Sequence, residues 1–220
     1  QTLQNNASKK GIFVDLAYAK WSPINTPRGS GAFTIGKMQN PYVFSSMIFD
    51  SDYTPEGAAG QFGYNLTDKH ALGLNTAAFV LDEIGGSNND PYMFGAQLRL
   101  DSEWTERISS SAGVAGLLIS NPDKLTTEAV PNVNAGNTRV PNATGDYTIL
   151  AYNYNPVVAD ASFTYTLDRF PLYERPFPIS LGGEYVYNPA AEGDNYGYSV
   201  GIRFGKASKR NTWEVSYQWK

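Results

Sequence analysis

The stretch YMFGAQLRLD, residues 92–101, puts Tyr92, Phe94, Ala96, Leu98 and Leu100 on one side of an extended chain, with Gly95, Gln97, Arg99 and Asp101 on the other. Successive side chains of a strand point to opposite faces, so this reads as a strand with one apolar and one polar face. The same two-residue period runs outward in both directions. Before it, Leu72, Leu74, Ala78 and Val80 oppose Gly73, Asn75 and Ala77, and Phe62, Tyr64 and Leu66 oppose Gln61, Gly63 and Asn65. Near the start, Ile12, Val14, Leu16 and Tyr18 oppose Asp15, Ala17 and Ala19.

After it, Val157, Ala159, Ala161, Phe163, Tyr165 and Leu167 alternate with Asp160, Ser162, Thr164, Thr166 and Asp168. Ile179, Leu181, Tyr185 and Tyr187 oppose Ser180, Gly182 and Glu184, and Tyr196, Tyr198, Val200, Ile202 and Phe204 oppose Gly197, Ser199, Gly201 and Arg203. The last segment sets Trp213, Val215, Tyr217 and Trp219 against Glu214, Ser216 and Gln218. Fainter patterns at 31–39, 105–118 and 147–154 bring the expected count to about eleven strands, within a range of 10–12.

Composition fits this pattern and narrows it. The 220 residues include 21 Gly and 15 Tyr, 14% are aromatic, and only 17% are charged, against roughly 25% in an average soluble domain. Mean hydropathy is −0.37, and no run approaches the ~18–20 apolar residues of a spanning helix. Cysteine is absent, so there is no disulfide framework or thiolate chemistry. A net charge of −4 and a pI near 5.0 argue against a nucleic-acid partner.

Strand length separates a membrane barrel from a soluble sandwich. Soluble strands are most often ~5–6 residues, whereas most of these run to about ten, enough at ~45° tilt to cross the apolar band of an outer-membrane barrel. Tyr18, Tyr92, Tyr187, Tyr196, Trp213 and Trp219 stand near strand ends on the apolar face, where interfacial girdles form. Short turns are expected at 67–69, 102–104 and 155–156, with longer loops at 40–56, 82–91, 119–146 and 169–177. The stretch 119–146 reads as an external loop or a segment folded into a pore.

The fold expected is therefore all-β, a transmembrane antiparallel up-and-down barrel in one domain over 1–220. Single-chain bacterial barrels have even strand numbers and no open edge in lipid. An odd count points to an internal fragment of a longer chain of roughly 16–18 strands, the range that leaves an aqueous channel, or to strands supplied by a partner.

Residues 36–66 carry a resemblance to a known family. Gly36-Lys37 at a strand end, then Asn40-Pro41-Tyr42, then Asp50, Asp52 and Gly57 leading into the next strand, resemble the signature region of the bacterial putative porin family. The stretches QTLQ (1–4), KKGIFVDLAYAKW (9–21) and GKASKRNTWEVSYQW (205–219) are similar to that family too. The resemblance implies an outer-membrane location and passive diffusion of small hydrophilic solutes or ions. It implies no enzyme activity, cofactor or energy source. A homo-oligomer would follow general porins by analogy.

The residues expected to line the pore are Asp15, Lys37, Gln97, Arg99, Asp101, Asp160, Glu184 and Arg203, whose charges would set the local potential. Lys37 shares the parity of Phe33 and Ile35, so its place there requires a bulge. Asp50, Asp52 and Glu56 are a weak calcium candidate that lacks the EF-hand pattern; a solvated, turn-forming acidic loop is the favoured reading of them. The single histidine, His70, reads as a surface residue, and no nucleophile elbow, phosphate loop or HExxH run is present. Two alternatives stand beside the channel: a non-conducting structural or adhesive barrel, and a soluble β-sandwich that binds carbohydrate.

Overall fold

The computed structural model describes residues 14–45, 47–50, 52–86, 89–125, 138–141, 143 and 149–220. Ten strands form one antiparallel sheet: β1 (Ala17–Asn25), β2 (Gly29–Lys37), β3 (Glu56–Thr67), β4 (His70–Val80), β5 (Tyr92–Thr105), β6 (Ile108–Ser120), β9 (Val157–Leu167), β10 (Phe177–Tyr187), β11 (Tyr196–Gly205) and β12 (Glu214–Trp219). Two short strands, β7 (Arg139–Val140) and β8 (Ile149–Leu150), pair only with each other. Each strand of the large sheet lies beside its neighbours in chain order, with β6 meeting β9 directly. The sheet is up-and-down and not closed, with β1 and β12 as its two edges.

Of the strand expected at 147–154, the described residues 149–154 hold only the two-residue β8 outside the main sheet, and among the described residues the large sheet has ten strands where about eleven are expected. Deleting that strand moves the following connections to the other end. The turn expected at 155–156 becomes the last part of a long connection, 121–156. Connections 38–55, 81–91, 121–156 and 188–195 share one end of the sheet, the loop end. Connections 26–28, 68–69, 106–107, 168–176 and 206–213 share the other, the turn end. The loop expected at 169–177 therefore lies opposite the other long loops, and the length asymmetry holds only for the first part of the chain. Most of the 119–146 loop lies outside the described residues.

Two of the turns are written in the same local chemistry. In Thr67-Asp68-Lys69-His70 the Thr67 hydroxyl accepts from the Lys69 and His70 N–H groups. In Thr105-Glu106-Arg107-Ile108 the Thr105 hydroxyl accepts from Arg107 and Ile108 in the same way. A threonine side chain thus replaces a ladder partner and reverses the chain. The second case corrects the turn expected at 102–104: β5 runs four residues further, from Asp101 to Thr105, because the hydroxyl that caps it belongs to Thr105.

Register sorts the side chains onto two faces. Phe94, Leu98, Leu118, Phe163, Leu181, Tyr198 and Val200 all share the outer face and are exposed. So are Tyr92, Tyr187 and Tyr196 near strand ends and Trp219 on β12. Monomeric soluble proteins rarely bare a continuous apolar face of this kind. Tyr18 departs from expectation: it pairs with Gly36 on the inner face, while Ala19 and Trp21 look outward opposite Ile35 and Phe33. Ile12 lies outside the described residues. Trp213 joins an aromatic cluster with Phe170, Tyr173 and Phe177.

The buried apolar cluster is on the other side of the sheet from that face. Ala59, Phe79, Met93 and Leu117 project inward at the loop end of β3 to β6 and cover Met38 and Tyr42 of the β2–β3 connection. This apolar seat holds a loop against the inner face.

Candidate functional site

The β2–β3 connection, 38–55, starts from a closed neck. Met38 N–H donates to Pro55 O at 2.9 Å, and Lys37 Nζ reaches Thr54 O at 3.0 Å and Glu56 at 3.5 Å. Gly36 and Gly57 face each other there at φ 116° and 151°. A Cβ on either would strike a neighbouring carbonyl, Ala17 O at 2.3 Å or Ala78 O at 2.1 Å, so only glycine fits both the dihedral and the approach. Beyond the neck, Asn40 Oδ1 accepts from Tyr42 N–H at 3.1 Å and turns the chain inward. Tyr42 packs edge-on against Phe79, and burial pushes its hydroxyl up to about 12.

From this seat the loop crosses the inner face. Val43 N–H donates to Gln97 Oε1 at 2.9 Å, and Gln97 Nε2 donates back to Val43 O at 2.7 Å. Gln97 is fully buried and also accepts from Asn75 Nδ2 at 3.3 Å. Further on, Ser45 N–H and Oγ donate to the two oxygens of Glu184, at 2.7 and 2.5 Å. Gln97 is on β5 and Glu184 on β10, with β6 and β9 between them. The loop therefore bridges strands that do not touch each other.

Beside the loop runs a line of charge. Arg99 Nη1 contacts both oxygens of Asp160, at 2.9 and 3.1 Å, and Arg99 Nη2 donates to Ser111 Oγ at 2.6 Å. Ser111 donates in turn to Asp101 at 2.5 Å. Register sets Arg99, Gly113, Asp160 and Glu184 at one level across β5, β6, β9 and β10. A cleft of about 550 Å³ lies between Val43–Ser45 and the inner faces of β9 to β12, lined by hydroxyls such as Ser162, Thr164, Ser180 and Ser216.

Of the eight residues named from sequence, Gln97, Arg99, Asp101, Asp160 and Glu184 gather here. Arg203 joins them from β11, with the inner register and lining the same cleft towards the turn end, 3.4 Å from Glu214. Lys37 does not join them: the register past Gly36 is unbroken, so no bulge turns it inward, and it braces the neck instead. Asp15 precedes β1 and borders a hollow at the loop end with Asp50 and Asp52. Glu56 opens β3 and pairs with Lys37, so the three calcium candidates are not brought together. Among the described residues no three acidic or histidine side chains could hold a metal ion. His70 hydrogen-bonds Ser102 at 3.0 Å beside Trp104, on the outer register.

These features are a sheet with an exposed apolar outer face, a polar inner face and a loop drawn across it. A family model described as putative porin matches residues 1–121, more than half the chain. The chain belongs to this family. No curated protein and no solved structure matches it. The matched part of this porin-family chain includes the whole infolded loop and its neck. Gly36, Asn40, Tyr42 and Gly57, which carry the resemblance, are the residues that close the neck, turn the loop and seat it. Sequence reading missed that role. The signal was there: Phe79, Met93, Leu117 and Ile119 are apolar at polar-face parity, all at one end of their strands.

Proposed function

We propose that this porin-family protein spans the bacterial outer membrane and passes small hydrophilic solutes or ions through a water-filled channel by passive diffusion. The ten described strands are one wall of a barrel that further strands complete. Lipid meets the Phe, Leu, Val and Tyr face, and water meets the Gly, Ser, Thr and charged face. Open edges cannot face hydrocarbon, which requires the sheet to close. The observation that carries the reading is the one loop that touches β5 and β10 from the polar, inner face of a sheet whose other face is exposed and apolar. A soluble sandwich would need a second sheet over the apolar face, and the described residues hold only the short β7–β8 ladder besides the main one.

Within the channel, loop 38–55 narrows the bore, and the Arg99–Asp160–Glu184 level with Asp101 sets the local field. The same loop favours a second reading, a plugged barrel that anchors the envelope without conducting. Planar-bilayer recording of the complete protein separates the two. Stepwise, long-lived current increases are expected; insertion with no current at any voltage would overturn the channel and leave the anchor.

A further inference from the structure

We infer that connections 168–176 and 206–213 form a docking site for anionic phospholipid headgroups at the turn-end rim of the sheet. The two connections are tied into one platform. Tyr173 Oη donates to Lys206 O at 3.0 Å and accepts from Lys206 N–H at 3.1 Å, Trp213 Nε1 donates to Leu172 O at 2.9 Å, and Asn211 Nδ2 donates to Glu174 at 2.7 Å. Phe170 stacks on Phe177 at 4.0 Å, with Tyr173 and Trp213 closing around them. Phe177 has the register parity of Ile179 and Leu181, so this cluster belongs to the outer, apolar face.

The platform presents what a solvated loop has no use for. Leu172 is 92% exposed and held at φ 58°, a backbone conformation that costs a leucine energy and marks a place where the surroundings impose it. Around it, Arg169, Arg175, Lys206, Lys209 and Arg210 are exposed, and among the described residues their side chains make no ion pair or hydrogen bond. An apolar tip beside an aromatic cluster, ringed by unpaired cations, fits the boundary where acyl chains meet anionic phosphates. Water alone would leave Leu172 bare, and an anionic peptide would not use an aromatic cluster on the outer face. The site rests on the membrane-spanning reading but not on conduction.

The test is native mass spectrometry of the complete protein in detergent, with phosphatidylglycerol or phosphatidylcholine of matched chains added. Several-fold greater retention of phosphatidylglycerol is expected. The triple variant K206Q/K209Q/R210Q should abolish that excess, Leu172→Asp should weaken retention of both lipids, and R28Q/K69Q, at other turns of the same end, should keep it. Excess inorganic phosphate should leave retention unchanged. No preference in the native protein, an unchanged excess in the triple variant, or displacement by free phosphate overturns the site. A protein that stays dispersed without detergent would instead overturn the spanning reading, which keeps the two failures apart.

Discussion

Gln97 treats Val43 as a strand partner: its side-chain amide gives and takes one hydrogen bond with the backbone of a residue 54 positions earlier. An amide supplies both groups in one plane, which no other uncharged side chain except asparagine matches. Gln97→Leu keeps the bulk and removes both bonds, at about 1–3 kcal/mol. The expected outcome is faster proteolysis within 38–55 with the sheet intact, read by limited digestion and far-ultraviolet circular dichroism.

Glu184 holds the far side of the loop through two charge-assisted bonds, stronger than neutral ones. Glu184→Ala should release Ser45 and raise single-channel conductance measurably above the native value. The chain has no cysteine, so the double variant S45C/E184C, once oxidised, should restore the narrower bore. Reduction should open it again. Conductance identical in all three proteins would remove the loop from the conducting path.

Gly113 stands at the same level as Arg99 and Asp160, and a Cβ there would lie 2.5 Å from Asp160 Oδ1 and 2.7 Å from Arg99 Nη1. Gly113→Val should separate the ion pair and destabilise the protein by roughly 1–4 kcal/mol, short of the full penalty because both partners keep some water contact. Gly116, on the outer side of the same strand, has open space around it. Gly116→Ala should stay within about 0.5 kcal/mol of native. Urea-induced unfolding in lipid vesicles checks both.

Two loop tyrosines offer a pH test. Burial pushes the hydroxyls of Tyr42 and Tyr53 up to about 12 from the ordinary 10.0. Their folded values lie above the unfolded one, so the stability from burying them is fully present below pH 10 and is lost as pH rises towards 12. Loop docking should be indifferent to pH from 6 to 9 and weaken above 10. Phenolate absorbance should rise in step with protease access to the loop.

The membrane reading makes its own forecast. Leu98→Lys on the outer face should cost about 2–4 kcal/mol of folding in vesicles if that position lies near the bilayer centre, whereas Ser162→Lys on the inner face should cost little. Equal tolerance at both positions would argue against lipid on the outer face.

The sheet was largely legible before any coordinates, because a two-residue period leaves little freedom once one face must be apolar. The Tyr92–Thr105 strand keeps the faces assigned from its sequence. Errors arose where local chemistry overrides the period. Thr105, not Asp101, ends β5 because its hydroxyl caps the turn. The stretch 147–154 reads as extended in sequence, but its described residues, 149–154, pair only with β7, through Ile149 and Leu150. The inner charges were found as a set; their arrangement was not. Nothing in the local sequence of Glu184 says that its partner is Ser45, a residue 139 positions away on a loop.

That separation bears on the order of events during folding. Every rung of the large sheet joins strands that follow one another in chain order within that sheet, so it can grow hairpin by hairpin, with 121–156 its longest closure. The Ser45–Glu184 clasp has no such route. It must wait until β10 has been laid down against β9 and the wall has bent far enough to bring Glu184 to Ser45. A half-assembled sheet is therefore unclasped, and the 38–55 loop takes its final place across the inner face only late in folding.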